Sequence, residues 1–207
     1  MKRKGLLLVV SGPSGVGKGT ICKALLKLRD DIHISVSVTT RPPRNGEKEG
    51  VNYFFKSQSE FEDMIQRGEL LEYAKVYDNY YGTPKAFVME QLEKGIDVLL
   101  EIDIQGALQV KGQYPEGVFV FILPPSMEEL RNRIIGRGTE TAEAIDKRFT
   151  AAYNEIDLLE NYDYYVFNDR VDLATARLIS IVEAERLRIL PRFINELIRE
   201  FKEESLC

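Results

Sequence analysis

The sequence predicts an α/β fold: a parallel sheet with helices on both faces, in three layers, plus a small mixed α/β insert and a helical lid. Three observations carry this expectation. Four short apolar runs, Leu6–Val10, Val98–Ile102, Val118–Leu123 and Tyr164–Phe167, are separated by polar, helix-patterned stretches. The first run leads straight into a glycine-rich turn and then an amphipathic segment. Between Ile34 and Pro84 the pattern changes to period-two alternation and short aromatic segments. A chain of 207 residues is sized for one main core. A single domain is therefore expected, with a core from 1–33, 85–125 and 151–207, an insert at 34–84 and a lid at 126–150.

Leu6–Val10 is uniformly apolar, as a strand covered on both faces requires. From Thr20 onward, Ile21, Ala24, Leu25 and Leu28 recur at helical spacing. Residues Ile34 to Thr39 alternate with period two, and Asn52–Phe55 reads as a further short strand. The insert's helix is expected to start at Ser59, because Ser59 and Glu62 have capping-box spacing and Phe61 and Ile65 supply an apolar side. Ser126 and Glu129 repeat that spacing after two prolines and open a helix bearing Leu130 and Ile134, which stops at Gly136-Arg137-Gly138. Asp172 is placed to cap a long last helix through Leu173, Ile179, Val182 and Leu187. Pro191 then breaks or restarts it before Phe193, Ile194, Leu197 and Phe201.

Composition excludes several classes. With 44% apolar and 29% charged residues, the chain has the balance of a packed domain and not of a disordered one. Leu6–Val10 is the longest purely aliphatic run and falls far short of the roughly 20 residues that cross a bilayer, so no membrane partner is expected. The basic start, Met1 to Lys4, precedes an apolar stretch too short for a secretory signal and without a usable cleavage site. Cys22 and Cys207 form neither a disulfide framework nor a metal pattern, which fits a reducing cytoplasm. Lysine and arginine number 28 against 33 acidic residues, a net charge of −5. That balance argues against a nucleic-acid partner but permits a local basic pocket.

The chemistry concentrates in Gly12-Pro13-Ser14-Gly15-Val16-Gly17-Lys18-Gly19-Thr20, which lies between an apolar strand and an amphipathic helix and so has the context of a phosphate loop, or P-loop. Its glycines let backbone N–H groups converge on an anion, and the following helix adds the positive end of its dipole. Lys18 would pair with β and γ phosphates. A glycine-rich turn with a solvated lysine is the bland alternative, outweighed by the agreement of strand, spacing and helix. The Ser or Thr that usually follows the lysine is replaced by Gly19, leaving Thr20 as the nearest hydroxyl for Mg²⁺, largely through water. Glu101 or Asp103, at the end of the Val98–Ile102 run, can hold a hydrated metal. Lys-Gly-Thr after the glycines resembles the nucleoside monophosphate kinases more than GTPases or motor ATPases, and the chain has no Asn-Lys-x-Asp base reader. In the insert, Arg41 and Arg44 stand beside Pro42-Pro43 and can clamp a phosphate through guanidinium forks, with Tyr53 and Tyr81 adding hydroxyl donors. Alone, the two arginines would read as a solvated turn.

Taken in order, the P-loop, Thr39-Thr40-Arg41-Pro42-Pro43-Arg44, Gly50-Val51-Asn52-Tyr53-Phe54, Tyr80-Tyr81-Gly82-Thr83, Asp103-Ile104-Gln105-Gly106 and Gly136-Arg137-Gly138-Thr139-Glu140-Thr141 resemble the guanylate kinases. The resemblance runs from about Gly5 to Asp169. It implies an enzyme that converts ATP and GMP to ADP and GDP with Mg²⁺. The P-loop would hold ATP, and Arg41, Arg44, Tyr53 and Tyr81 the GMP phosphate. Ser37, Glu72 and Thr83 would read guanine, with Asp103 placed among the substrate contacts. Arg137 and Arg148 would be lid arginines acting on the transferring phosphoryl group, and Asn168 would approach the adenine.

Base chemistry agrees with that set. Guanine offers N1–H and its 2-amino group as donors and O6 as an acceptor. Glu72 can accept at the donor edge, and the Ser37 and Thr83 hydroxyls can donate to O6. No catalytic base is needed, because the GMP phosphate has a second pKa of about 6, so His33 is assigned no role. The competing reading is a non-catalytic guanylate-kinase-like module that binds protein partners, whose mark would be a degraded P-loop or missing lid arginines. A monomer or homodimer is expected, and residues beyond Pro191 lie outside the match.

Overall fold

The computed structural model describes residues 4–76, 78–136 and 142–189, together with positions 194, 198, 199 and 202. The chain runs β1 (Leu7–Ser11), α1 (Lys18–Leu28), β2 (Ile32–Ile34), β3 (Val38–Thr39), β4 (Phe54–Phe55), α2 (Gln58–Gln66), β5 (Leu70–Val76), β6 (Asn79–Pro84) and α3 (Lys85–Glu93). It continues through β7 (Asp97–Glu101), α4 (Ile104–Gln113), β8 (Val118–Leu123), α5 (Met127–Ile135), α6 (Ala142–Ile156), β9 (Tyr164–Phe167) and α7 (Val171–Leu187).

Five strands form a parallel sheet in the order β2-β7-β1-β8-β9. Side chains alternate across it. Leu8, Val10, Val120 and Ile122 meet Ile21 and Leu25 of α1, Leu130 and Ile134 of α5, and Leu178 and Val182 of α7. Leu7, Val9, Leu100 and Phe119 meet Val88 and Leu92 of α3 and Ala107 and Val110 of α4. Three layers result, and β1 is buried along its whole length because both faces are covered. The chain leaves β1 toward β2 and β7 on one side and later returns to β8 and β9 on the other, so the strand order reverses beside β1. Ligand crevices form at such reversals, beyond the carboxyl ends of the strands.

A second sheet, β4-β3-β6-β5, joins one parallel pair to two antiparallel pairs and packs Val38, Phe61 and Leu70 into a satellite core. Several sequence expectations shift here. Ile32–Ile34 pairs with β7 in the main sheet, so Ile34 belongs to the core and the insert's strand begins only at Val38. Helix α2 is capped by Ser57, which exchanges hydrogen bonds with Glu60, and not by Ser59 and Glu62. Both pairs satisfy the spacing; the register chosen is the one that stacks buried Phe61 on Tyr80 at 5.2 Å. Helix α1 starts at Lys18, two residues before Thr20, because Gly17 turns the chain with φ 96.

Asp172 does not cap α7. The N-cap is Arg170, with extended backbone and no side-chain cap, and Asp172 pairs with Arg170 at 2.6 Å inside the first turn, where its charge is favoured by the positive end of the helix dipole. The helix ends at Leu187, ahead of Pro191, where it runs out of partners: Leu187 and Ile189 are 81% and 72% exposed. The expected restart at Phe193, Leu197 and Phe201 lies outside the described residues. His33 is exposed on the edge strand β2, with Nδ1 3.2 Å from Gln91.

At the amino end of the sheet, buried Asp97 accepts from the Leu6 N–H at 2.8 Å and from Arg186 Nε at 2.8 Å, tying β7 to β1 and α7. Asp97→Ala leaves a partly buried amide without its acceptor and removes one of the two carboxylates on Arg186, so a loss of about 2 kcal/mol is expected. Denaturant unfolding reads this directly; an unchanged midpoint would show that the bridge adds nothing.

Candidate active site

The P-loop leaves the carboxyl end of β1 and curls tightly because it has no side chains where it would need room. Gly12 has φ 142, and a Cβ there would stand 2.5 Å from the Ile122 carbonyl oxygen. At Gly17 a Cβ would stand 2.5 Å from the amide nitrogen of Asn168. That nitrogen donates to the Val16 carbonyl at 2.7 Å, so Asn168, buried at the end of β9, braces the loop with its side-chain amide. Arg133 of α5 adds to the brace, donating to the Val16 carbonyl at 3.3 Å and the Asn168 carbonyl at 3.1 Å. Lys18 folds back over the loop, its Nζ 2.5 Å from the Gly12 carbonyl oxygen and 3.3 Å from that of Pro13. Burial pulls the Lys18 ammonium below its ordinary value, against the opposing pull of Glu101, Glu155 and Asp103.

Next to Lys18 opens a cavity of about 230 Å³ lined by Ser37, Tyr53, Glu72, Tyr81, Glu101 and Asp103. Residues spread over the insert and three core elements thus share one chamber. Glu72, 4% exposed, projects from β5 and accepts from the Thr83 hydroxyl at 2.6 Å. Burial raises its carboxyl to about 7, the Thr83 bond lowers it and Asp103 raises it further. Thr83 itself stands behind Glu72, with its proton directed to that carboxylate, so in this state it is not aimed at O6 of a base in the chamber.

At the rim, Arg41 is held by Glu47 at 2.9 Å, stacks over Tyr53 at 5.4 Å and bonds to Tyr81. The Tyr53 and Tyr81 rings meet edge-on at 6.0 Å. Arg44 is exposed, and its backbone N–H donates to the other Glu47 oxygen at 2.7 Å. Asp103 caps α4, accepting from the Gly106 N–H at 2.7 Å. Glu101 explains the missing hydroxyl after the lysine: a Cβ on Gly19 would lie 3.0 Å from its Oε1. Thr20 is exposed in the first turn of α1. Burial raises the Glu101 carboxyl, and Lys18 and Lys23 oppose that shift.

Arg137 lies outside the described residues. Arg148 is half-buried on α6. Two turns further along the same helix face, Glu155 feels Lys18 and Asp103 and receives the Ser14 N–H of the P-loop, so this face of α6 is turned toward the phosphate site. Glu47 and Glu155 carry no local signal in the sequence, since each matters only through partners remote in the chain or in an irregular turn, whereas Arg133 is legible as a lid-adjacent arginine that a charged helix face explains equally well. A larger cleft of about 860 Å³ opens at the opposite, amino end of the sheet. Its Asp31 and Asp97 both pair with Arg186.

A P-loop lysine lining one chamber with a buried carboxylate, at the strand-order reversal of a parallel sheet, fits a nucleotide phosphotransferase of the nucleoside monophosphate kinase type. Comparison with known proteins narrows this. The profile of the family described as guanylate kinase matches residues 4–185. A guanylate kinase of Clostridioides difficile is 60% identical over 202 residues, covering 98% of each chain. One from Caldanaerobacter subterraneus subsp. tengcongensis is 57% identical over 206 residues, covering 100% of this chain and 99% of its own. The crystal structure of guanylate kinase from Anaplasma phagocytophilum superposes with a TM-score of 0.76 at 37% identity, over 91% of this chain and 89% of that one. The chain belongs to the guanylate kinase family.

Proposed function

We propose that this protein transfers the γ-phosphoryl group of ATP to GMP, giving ADP and GDP. The observation that carries the reading is the shared chamber, in which Lys18 of the P-loop and the buried, base-accepting Glu72 line the same 230 Å³. Two mutually repelling anions have to be aligned there, and the chain supplies cations around both: Lys18 under the donor, Arg41 and Arg44 beside the acceptor phosphate, and Arg148 toward the transferring group, a role the family resemblance also implies for Arg137. Tyr53 and Tyr81 hold Arg41 and offer their hydroxyls to the acceptor phosphate. Ser37 donates to O6, and Glu72 accepts from N1–H and the 2-amino group, with Thr83 steadying that carboxylate. Adenine would oppose Glu72 with an acceptor at N1 and leave it without a donor. The GMP oxygen is already ionised near neutrality, so no side chain need take a proton from it.

The donor set near Gly19 suits Mg²⁺. Glu101 and Asp103 are hard oxygen ligands beside Lys18, able to hold the ion through water, and Thr20 is a more distant hydroxyl. When bound with ATP, the ion would neutralise charge on the β and γ phosphates. We assign the segment after Ile34, up to residue 84, to an acceptor-binding insert and 126–150 to a lid. A cytoplasmic setting and a monomer or homodimer complete the reading, with no nucleic-acid or membrane partner. Among the described residues no helix is long and apolar enough to cross a membrane.

Coupled ADP release with MgATP and, separately, GMP, dGMP, AMP and dTMP tests the reading. Turnover of AMP or dTMP but not GMP overturns it, and silence with all four would point to a binding module. Arg148→Lys is expected to lower kcat about ten-fold or more with little change in either KM, since a point charge cannot reproduce the fork. An unchanged kcat would remove Arg148 from the transfer step.

A further inference from the structure

Glu72 sits on an edge strand whose ladder is irregular just before it. In the four-stranded sheet β5 pairs only with β6, and the pairing shifts register between Leu70 and Glu72. Such a bulge releases the strand from the alternation that would otherwise set which way each side chain points. Something outside the sheet has to hold the segment that bears the carboxylate.

Helix α4 does so with two residues one turn apart on one face. Gln109 grips the free edge of β5 at Tyr73, the residue after Glu72: its Oε1 accepts from the Tyr73 N–H at 3.1 Å and its Nε2 donates to the Tyr73 carbonyl at 2.7 Å. The amide thus replaces a neighbouring strand for this single residue. Gly106 faces the carboxylate itself, and a Cβ there would stand 2.5 Å from Glu72 Oε2. The position of Gly106 is set in turn by Asp103, which accepts its N–H. Glu72 is therefore seated between Thr83 on one oxygen and the bare backbone of α4 on the other.

We propose that Gln109 and Gly106 are positioning residues for acceptor-base selection, Gln109 by clamping the backbone beside Glu72 and Gly106 by leaving the space its carboxylate occupies. This rests on the reading that Glu72 receives the guanine donor edge. Neither residue touches the substrate; both act through Glu72. Loosening the clamp lets the carboxylate drift from the 2-amino group, the feature that separates GMP from IMP.

The test compares kcat, both KM values and the ratio of kcat/KM for GMP over IMP in Gln109→Ala, Gln109→Met, Gly106→Ala and Glu72→Gln. Both Gln109 variants should raise KM for GMP about ten-fold and lower the GMP-over-IMP ratio at least three-fold, with KM for ATP unchanged. Gln109→Met keeps the bulk of the side chain without the amide, so its agreement with alanine separates hydrogen bonding from packing. Gly106→Ala should act in the same direction and more strongly. If Glu72→Gln impairs GMP use while both Gln109 variants keep the wild-type ratio, the proposal is wrong and the role of Glu72 stands. A uniform fall in all parameters at constant ratio would reduce Gln109 to a structural contact and overturn the proposal equally. If Glu72→Gln itself uses GMP normally, the underlying reading fails first.

Discussion

Lys18→Ala is expected to lower kcat by about a thousand-fold at saturating MgATP and GMP, with secondary structure unchanged by circular dichroism. The size follows from where the ammonium stands. It stands at the foot of the P-loop, partly desolvated, on the side where β and γ phosphates would lie, so its charge would act with little screening by water. It also closes the loop by donating to the Gly12 and Pro13 carbonyls. Lys18→Met separates the two contributions, since it keeps the aliphatic stem without the charge. Equal losses in both variants assign the effect to charge; retention of a tenth or more of wild-type turnover in either would contradict the placement of Lys18 at the reacting phosphates.

Glu72→Gln has the second largest expected effect, and its size depends on pH. Burial holds the Glu72 carboxyl at about 7, above its ordinary 4.5, so the folded protein binds a proton there that the unfolded chain has released. The associated stability is fully present below 4.5 and is lost as pH rises through 7. Glutamine does not titrate, so the ligand-free variant should gain stability relative to wild type between pH 4.5 and 7, with the gain levelling off above 7. Activity should move the other way. An ionised Glu72 is needed to accept two guanine donors, so kcat/KM for GMP should fall about 100-fold in the variant at pH 8 while KM for ATP holds. Wild-type kcat/KM should climb through pH 7, whereas the variant should keep only the earlier rise, near 6, that belongs to the GMP phosphate. A wild-type profile flat from pH 6 to 8.5 would refute the assignment.

These two residues also show what a linear reading can and cannot reach. Lys18 is legible because the P-loop is local: strand, glycines, lysine and helix follow one another within Leu7–Leu28, and backbone geometry alone demands that order. Glu72 was legible only by family resemblance. Its bare context is an acid in a short strand, and nothing nearby announces that Thr83, Gly106 and Gln109 converge on it from elements eleven to thirty-seven residues away. Asn168 was expected near the adenine, yet its side chain is committed to the Val16 carbonyl, a partner no local pattern could name. Ser57 and Ser59 failed differently: both carry valid capping spacing, and the choice fell to Phe61 finding Tyr80.

By itself, then, the sequence determined the alternation of buried strands with helices, the phosphate-binding turn and the pattern of a distinct insert, because apolar periodicity and glycine geometry act over a few residues. Tertiary structure alone decided that Lys18 and Glu72 face one chamber, that Glu101 occupies the room a side chain at position 19 would take, and that α4 seats the carboxylate. Those outcomes depend on how elements pack at the reversal beside β1, where desolvation and distance are set by residues far apart in the chain.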